Sequence, residues 1–102
     1  MDEVVYEFDW DPAKAAANLA KHGVDFRHAA TVFNDPLALT VFDAVHSQSE
    51  ERWFTLGMTS DGRLVAVAHT FEQMTPVQAR IRIISARQAT RRERNDYQDS
   101  PR

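Results

Sequence analysis

The chain contains no cysteine, which removes at once a disulfide framework, a thiolate nucleophile and thiolate-ligated zinc, and is compatible with a reducing compartment. It has only three glycines and four prolines, too few for a glycine-rich phosphate loop, a dinucleotide fingerprint or a low-complexity linker. No apolar run approaches the length that crosses a bilayer, and the acidic start lacks the basic-then-apolar order of a secretory signal. No compact histidine–carboxylate pattern marks a metal site, so no cofactor is expected. The expectation is a cytoplasmic protein without membrane attachment, folding as a single domain over residues 1–102.

What is present is a core-forming composition with an uneven charge. Hydrophobic residues make up 43% of the chain, enough to fold. The formal net charge is −3, yet residues 1–50 hold three basic against nine acidic side chains, and residues 51–102 hold nine against six. Arg80, Arg82, Arg87, Arg91, Arg92 and Arg94 crowd into fifteen positions with Glu93 the lone acid among them. Such a cluster suits a phosphate-bearing ligand, and equally a solvated helix.

Local patterns predict an α+β fold. Tyr6, Phe8 and Trp10 alternate as in a strand; Asp11 and Pro12 then read as the cap and first residue of a helix that ends at Gly23, with Lys21 and His22 in its last turn. Asp25 can cap a second helix over residues 26–33, and strands follow at 37–42, 53–59 and 63–71, the last two joined by a turn at Ser60-Asp61-Gly62. Residues 72–79 read as a turn around Pro76. Alternation at 80–84 sends Arg80 and Arg82 to one face and Ile81 and Ile83 to the other. Ser85 with Gln88 fits a capping box, predicting a final helix from Ala86 to Gln98 with Arg87 beside its free amides.

Phe8-Asp9-Trp10-Asp11-Pro12, Asn18-Leu19-Ala20-Lys21-His22-Gly23, Ala30-Thr31-Val32-Phe33-Asn34-Asp35-Pro36, Glu50-Glu51-Arg52, Arg80-Ile81-Arg82-Ile83-Ile84-Ser85-Ala86-Arg87 and Arg92-Glu93-Arg94-Asn95-Asp96-Tyr97 together resemble the BrnT toxin family over nearly the whole chain. The resemblance implies a compact RelE-like domain with N-terminal helices, an antiparallel sheet and a C-terminal helix. It further implies a ribonuclease acting on RNA, free or on ribosomes, that inhibits translation. The implied partner is a BrnA-like ribbon-helix-helix antitoxin, which provides an indirect link to DNA. One departure is the connection over residues 71–80, longer and more apolar than the short charged turn common in the family.

Metal-independent RNA cleavage needs a base for the 2′-hydroxyl, cations for the charged phosphorane and an acid for the leaving 5′-oxygen. The residues carried into those roles are Lys21, His22, Glu51, Arg52, His69, Arg80 and Arg87, with Arg82 as a further phosphate ligand. Each also has a structural reading: cross-sheet ion pairs with Glu50, Glu51 or Glu72 for the arginines, a salt bridge that orients Arg52 for Glu51, packing for His69, which is in phase with Val65 and Val67, and helix closure for Lys21 and His22. Trp10, Phe71 and Tyr97 could each offer a face for an RNA base, but Trp10 and Phe71 read chiefly as core residues, and Tyr97 as the anchor of the last helix with its hydroxyl able to meet solvent or phosphate. A noncatalytic nucleic-acid-binding or regulatory protein is the alternative function.

Overall fold

The computed structural model describes residues 4–101. Strand β1 (Val5–Asp9) leads into α1 (Pro12–His22), where the Asp11 carboxylate accepts from the Ala13 amide and Pro12 occupies the first turn. Gly23 closes α1 at φ +70°, a conformation that L side chains rarely adopt, and donates its amide to the Leu19 carbonyl. Asp25 caps α2 (Phe26–Ala30), which tightens into a 3₁₀ turn over Thr31–Asn34. The expected second helix is therefore α-helical only in its first five residues.

The remaining elements are β2 (Leu39–Phe42), β3 (Trp53–Met58), β4 (Leu64–His69), β5 (Glu72–Thr75), β6 (Gln78–Gln88) and α3 (Arg91–Asp99). They form one six-stranded sheet in the order β1-β6-β4-β3-β2, with β5 pairing β6 beyond the end of β4. The sheet is mixed. All its pairings are antiparallel except that β1 runs parallel to β6, matching Glu7 with Arg80 and Asp9 with Arg82. A parallel neighbour needs a long crossover, and here the chain between β1 and β6 carries the two helices and the other four strands.

One face of the sheet is covered by α1 and α2. Its core comprises Val24, Phe26, Ala29, Val32, Val65, Val67, Ile81, Ile83 and Ala86, all at most 2% exposed. The alternation of β6 changes phase midway. Ile83 pairs with His69 and Ser85 with Ala68, so Ile84 is an extra residue, a β-bulge. Before it Ala79, Ile81 and Ile83 face the helices; after it Ala86 does. Arg80, Arg82 and Arg87 consequently share the opposite face. At one end of that face α3 lies over the sheet, with Tyr97 packed against Leu56, Leu64 and Ala66. The other end is open.

Two expectations fail here. The segment 85–88 is the end of β6, because Ser85, Ala86, Arg87 and Gln88 pair with Ala68, Val67, Ala66 and Val65. The working capping box lies five residues later, where Thr90 Oγ1 accepts from the Glu93 amide and the Glu93 carboxylate accepts from the Thr90 amide. Two capping patterns overlap in the sequence, and the long-range ladder consumes the first. Residues 72–75, expected to be a turn, form β5 because the facing half of β6 offers an edge beyond the end of β4.

Candidate active site

The open end of the sheet holds a cleft of about 440 Å³ lined by Asp9, Glu50, Glu51, Thr70, Phe71, Glu72, Arg80 and Arg82. The parallel β1–β6 register supplies Asp9 beside Arg82, and the β5–β6 register supplies Glu72 beside Arg80. The loop before β3 brings Glu50 and Glu51 over from the far side. A second recess of about 170 Å³ shares Glu50 and Arg82 with the first and adds Asp11, Lys14 and Arg52. The two recesses thus meet at Arg82.

Arg80 lies between two carboxylates, Nη2 at 3.7 Å from Glu7 and Nη1 at 3.8 Å from Glu72. The cross-sheet pair with Glu72 expected for a strand arginine is present. These long, solvent-exposed pairs are worth little each, so a phosphate can exchange for either carboxylate. Arg82 has no carboxylate within 4 Å among the described residues, which leaves its guanidinium available in both recesses. Arg52 approaches Glu50 at 3.6 Å, and its Nε is buried without a hydrogen-bond partner. No group of three or more His, Asp or Glu side chains suited to a metal ion occurs among the described residues.

Of the residues singled out from sequence, Glu51, Arg52 and Arg80 therefore come together, joined by Arg82. Arg87 does not. Rather than lying beside free helix amides, it extends from β6 and binds Glu93 of α3 with both nitrogens, Nη1 to Oε1 at 2.7 Å and Nη2 to Oε2 at 3.0 Å. This charge-assisted pair, helped by the capping bond from Thr90, holds the Glu93 carboxyl down at about 2 and raises Arg87. The remaining arginines of the sequence cluster, Arg91, Arg92 and Arg94, are exposed on α3.

His69 is 2% exposed and faces the helices. Its Nδ1 lies 2.9 Å from the Thr70 carbonyl, which can only accept, so Nδ1 carries the proton and Nε2 accepts from Thr55 Oγ1 at 2.7 Å. Burial lowers its pKa, with the Thr70 carbonyl opposing in part, and Phe33 packs edge-on at 4.9 Å. Both nitrogens are thus occupied. Lys21 and His22 lie beside Gly23, whose carbonyl accepts from Arg63 Nη1, at the end of the sheet where β4 begins. There β6 ends opposite β4, far along the strand from Arg80, and neither residue lines the cleft.

Asp9 and Lys14 were not singled out from sequence, Glu72 was expected only as an ion-pair partner and Phe71 chiefly as core, and all four line the recesses. Asp9 and Glu72 enter through strand register with β6, which has no local signature. Phe71, read as core, is 42% exposed.

The model of a family described as ribonuclease toxin, BrnT, of type II toxin–antitoxin system matches residues 10–93. The chain belongs to the BrnT family. A BrnT-family chain is a ribonuclease toxin, and the type II class implies an antitoxin partner. The three helices and mixed sheet resemble the 1.1 Å crystal structure of the Brucella abortus ribonuclease toxin BrnT, with a TM-score of 0.52 and 20% identity over 89% of this chain and 100% of that one. At that identity the likeness concerns the fold. No curated protein sequence matches the chain. The BrnT match spans α1, the bulged β6 and the start of α3, the elements that place Arg80, Arg82 and the Arg87–Glu93 pair. No helix of the described residues is long and apolar enough to cross a membrane.

Proposed function

We propose that this BrnT-family chain is a metal-independent endoribonuclease that cleaves RNA at the Arg80–Arg82 cleft, inhibits translation, and is neutralised by a BrnA-like antitoxin covering that face. The observation that carries the reading is the Arg82 guanidinium, without an ion-pair partner among the described residues, in an open cleft that also holds Arg80 and the carboxylates of Glu50 and Glu51. A carboxylate there accepts the proton of a ribose 2′-hydroxyl, and Glu51 is assigned that role because Glu50 is engaged by Arg52. The 2′-oxygen then attacks phosphorus, and Arg82 with Arg80 stabilises the charge that builds on the nonbridging oxygens. The bond from phosphorus to the 5′-oxygen breaks, leaving a 2′,3′-cyclic phosphate and a 5′-hydroxyl. The departing 5′-oxygen takes its proton from the Lys14 ammonium in the adjoining recess, where Arg52 stabilises its charge.

Lys21, His22, His69 and Arg87 remain in this reading as supports of the fold around the site. Purified, antitoxin-free protein incubated with RNA in the presence of a chelator tests it. Expected are new 5′-hydroxyl ends, a loss of roughly a hundredfold or more in rate for Arg82→Ala, and no cleavage where the target nucleotide lacks its 2′-hydroxyl. Cleavage that continues at the deoxy position, or that stops on chelation, overturns the mechanism.

A further inference from the structure

On the helix-covered side of the hairpin, a recess of about 240 Å³ is walled by Thr40, Trp53, His69 and Phe71, and its accessible walls are apolar. It is smaller than the ~300–1,000 Å³ typical of sites for drug-sized ligands, which limits it to a single ring system. Phe42 packs edge-on against Trp53 with ring centroids 5.0 Å apart, holding the indole in place. Phe71 has no such ring partner among the described residues and is 42% exposed. It forms a wall of this recess and of the arginine cleft as well.

The sharing of Phe71 joins an apolar slot for a flat ring to a cationic site for a phosphate. We propose that the recess of Thr40, Trp53, His69 and Phe71 takes an unpaired base of the RNA strand, with Phe71 as the stacking and specificity-determining residue, while the adjoining phosphate sits at Arg82. This inference rests on the cleft being the RNA site. Stacking of a base on an aromatic ring is tolerant of sequence but requires the base to be unpaired, so the pocket selects single-stranded over duplex RNA. His69 suits such a pocket because both its nitrogens are engaged by Thr55 and Thr70, leaving ring carbon towards the slot. The segment over residues 71–80, expected from sequence to be a long connection, is instead the β5–β6 hairpin and its approach. It positions Phe71 at the corner where β4 hands over to β5.

The test is the binding of a short, uncleavable 2′-O-methyl oligoribonucleotide to the parent protein and to Phe71→Leu, Phe71→Trp and Arg82→Ala, all verified as folded, at several salt concentrations. The pocket predicts that Phe71→Leu weakens binding roughly tenfold with the salt slope unchanged, and that Phe71→Trp retains affinity. It also predicts that an abasic oligonucleotide binds both the parent and Phe71→Leu equally weakly. Arg82→Ala separates the two readings by lowering both affinity and salt slope. If Arg82→Ala weakens binding and Phe71→Leu does not, the base pocket is wrong and the phosphate cleft stands; if neither matters, the cleft itself is wrong. A Phe71→Leu protein that binds RNA normally but loses its antitoxin makes this recess a protein-docking surface and overturns the inference.

Discussion

The side chain of Asn18 completes the sheet at Ala86. Asn18 Oδ1 accepts from the Ala86 amide at 3.1 Å, and its Nδ2 donates to the Ala86 carbonyl at 2.8 Å and to the Val24 carbonyl at 3.1 Å. Strand β1 ends at Asp9, opposite Arg82, so beyond the bulge the outer edge of β6 has no strand beside it. Residue 18, one face of a helix, presents an amide that satisfies the same two backbone groups a neighbouring strand would.

Asn18→Leu is therefore expected to destabilise the protein by about 2–4 kcal/mol, since it strands a buried amide and two carbonyls in an apolar layer. Asn18→Asp keeps the acceptor for the Ala86 amide but sets a carboxylate against two carbonyls, and is expected to do no better. Urea unfolding of the three proteins measures this. Midpoints that coincide would mean that water replaces the asparagine.

The Arg87–Glu93 pair predicts acid sensitivity in the attachment of α3. Glu93 titrates at about 2 when folded against a reference of 4.5, so its contribution is complete above the reference and is lost as pH falls from there towards 2. Because Glu93 and Arg87 are both partly solvent-exposed, screening reduces the contribution to about 1 kcal/mol, well below what the shift alone suggests. Glu93→Gln should therefore be less stable than the parent near neutral pH, and the gap should close as the medium is acidified. Thermal melts of both proteins across that range decide it, and a gap independent of pH would show that the carboxylate's charge contributes nothing.

Much of this architecture is legible in local sequence. Asp11, Pro12 and Gly23 bound α1 where their backbone preferences require, and the Ser60-Asp61-Gly62 turn joins two strands as expected. What local patterns do not carry is pairing at a distance. Ser85 and Thr90 both begin acceptable capping boxes, and only the ladder between β4 and β6 decides between them. The site is affected in the same way. Alternation correctly puts Arg80 and Arg82 on one face, but their surroundings come from the β1 and β5 registers, and the bulge at Ile84 brings Arg87 back onto that face at its α3-covered end. A run of arginines that looks like one positive patch is thereby divided among a cleft, a structural latch and an exposed helix.

His69 is expected to support the fold rather than transfer protons. Burial holds its pKa below the ordinary value of 6.5, so the unfolded chain takes up a proton before the folded one does, and stability falls as pH drops below 6.5 towards the folded value. His69→Gln, which loses the Phe33 contact and part of the Thr55–Thr70 bridge, should lower stability by about 1–3 kcal/mol. Its pH–rate profile for RNA cleavage, taken where it remains folded, should match that of the parent. A displaced limb in that profile would place the histidine in the chemistry.

If RNA phosphate binds at Arg80 as proposed, Glu72 is expected to compete with it. Its carboxylate stands 3.8 Å from Nη1 across the β5–β6 pair, both side chains are substantially exposed, and the pair is surrounded by the further carboxylates of Glu7, Asp9, Glu50 and Glu51. An incoming phosphate has to displace a like charge to reach the guanidinium. Glu72→Gln removes that charge while preserving shape, and the lost pair costs little stability at such exposure. RNA binding to Glu72→Gln should tighten by roughly two- to fivefold at low salt, the gain shrinking as added salt screens the carboxylate. Titration of an uncleavable oligonucleotide at two ionic strengths checks both parts. Weaker binding by the variant would mean that Glu72 orients Arg80 towards phosphate, and that the ion pair belongs to the working site.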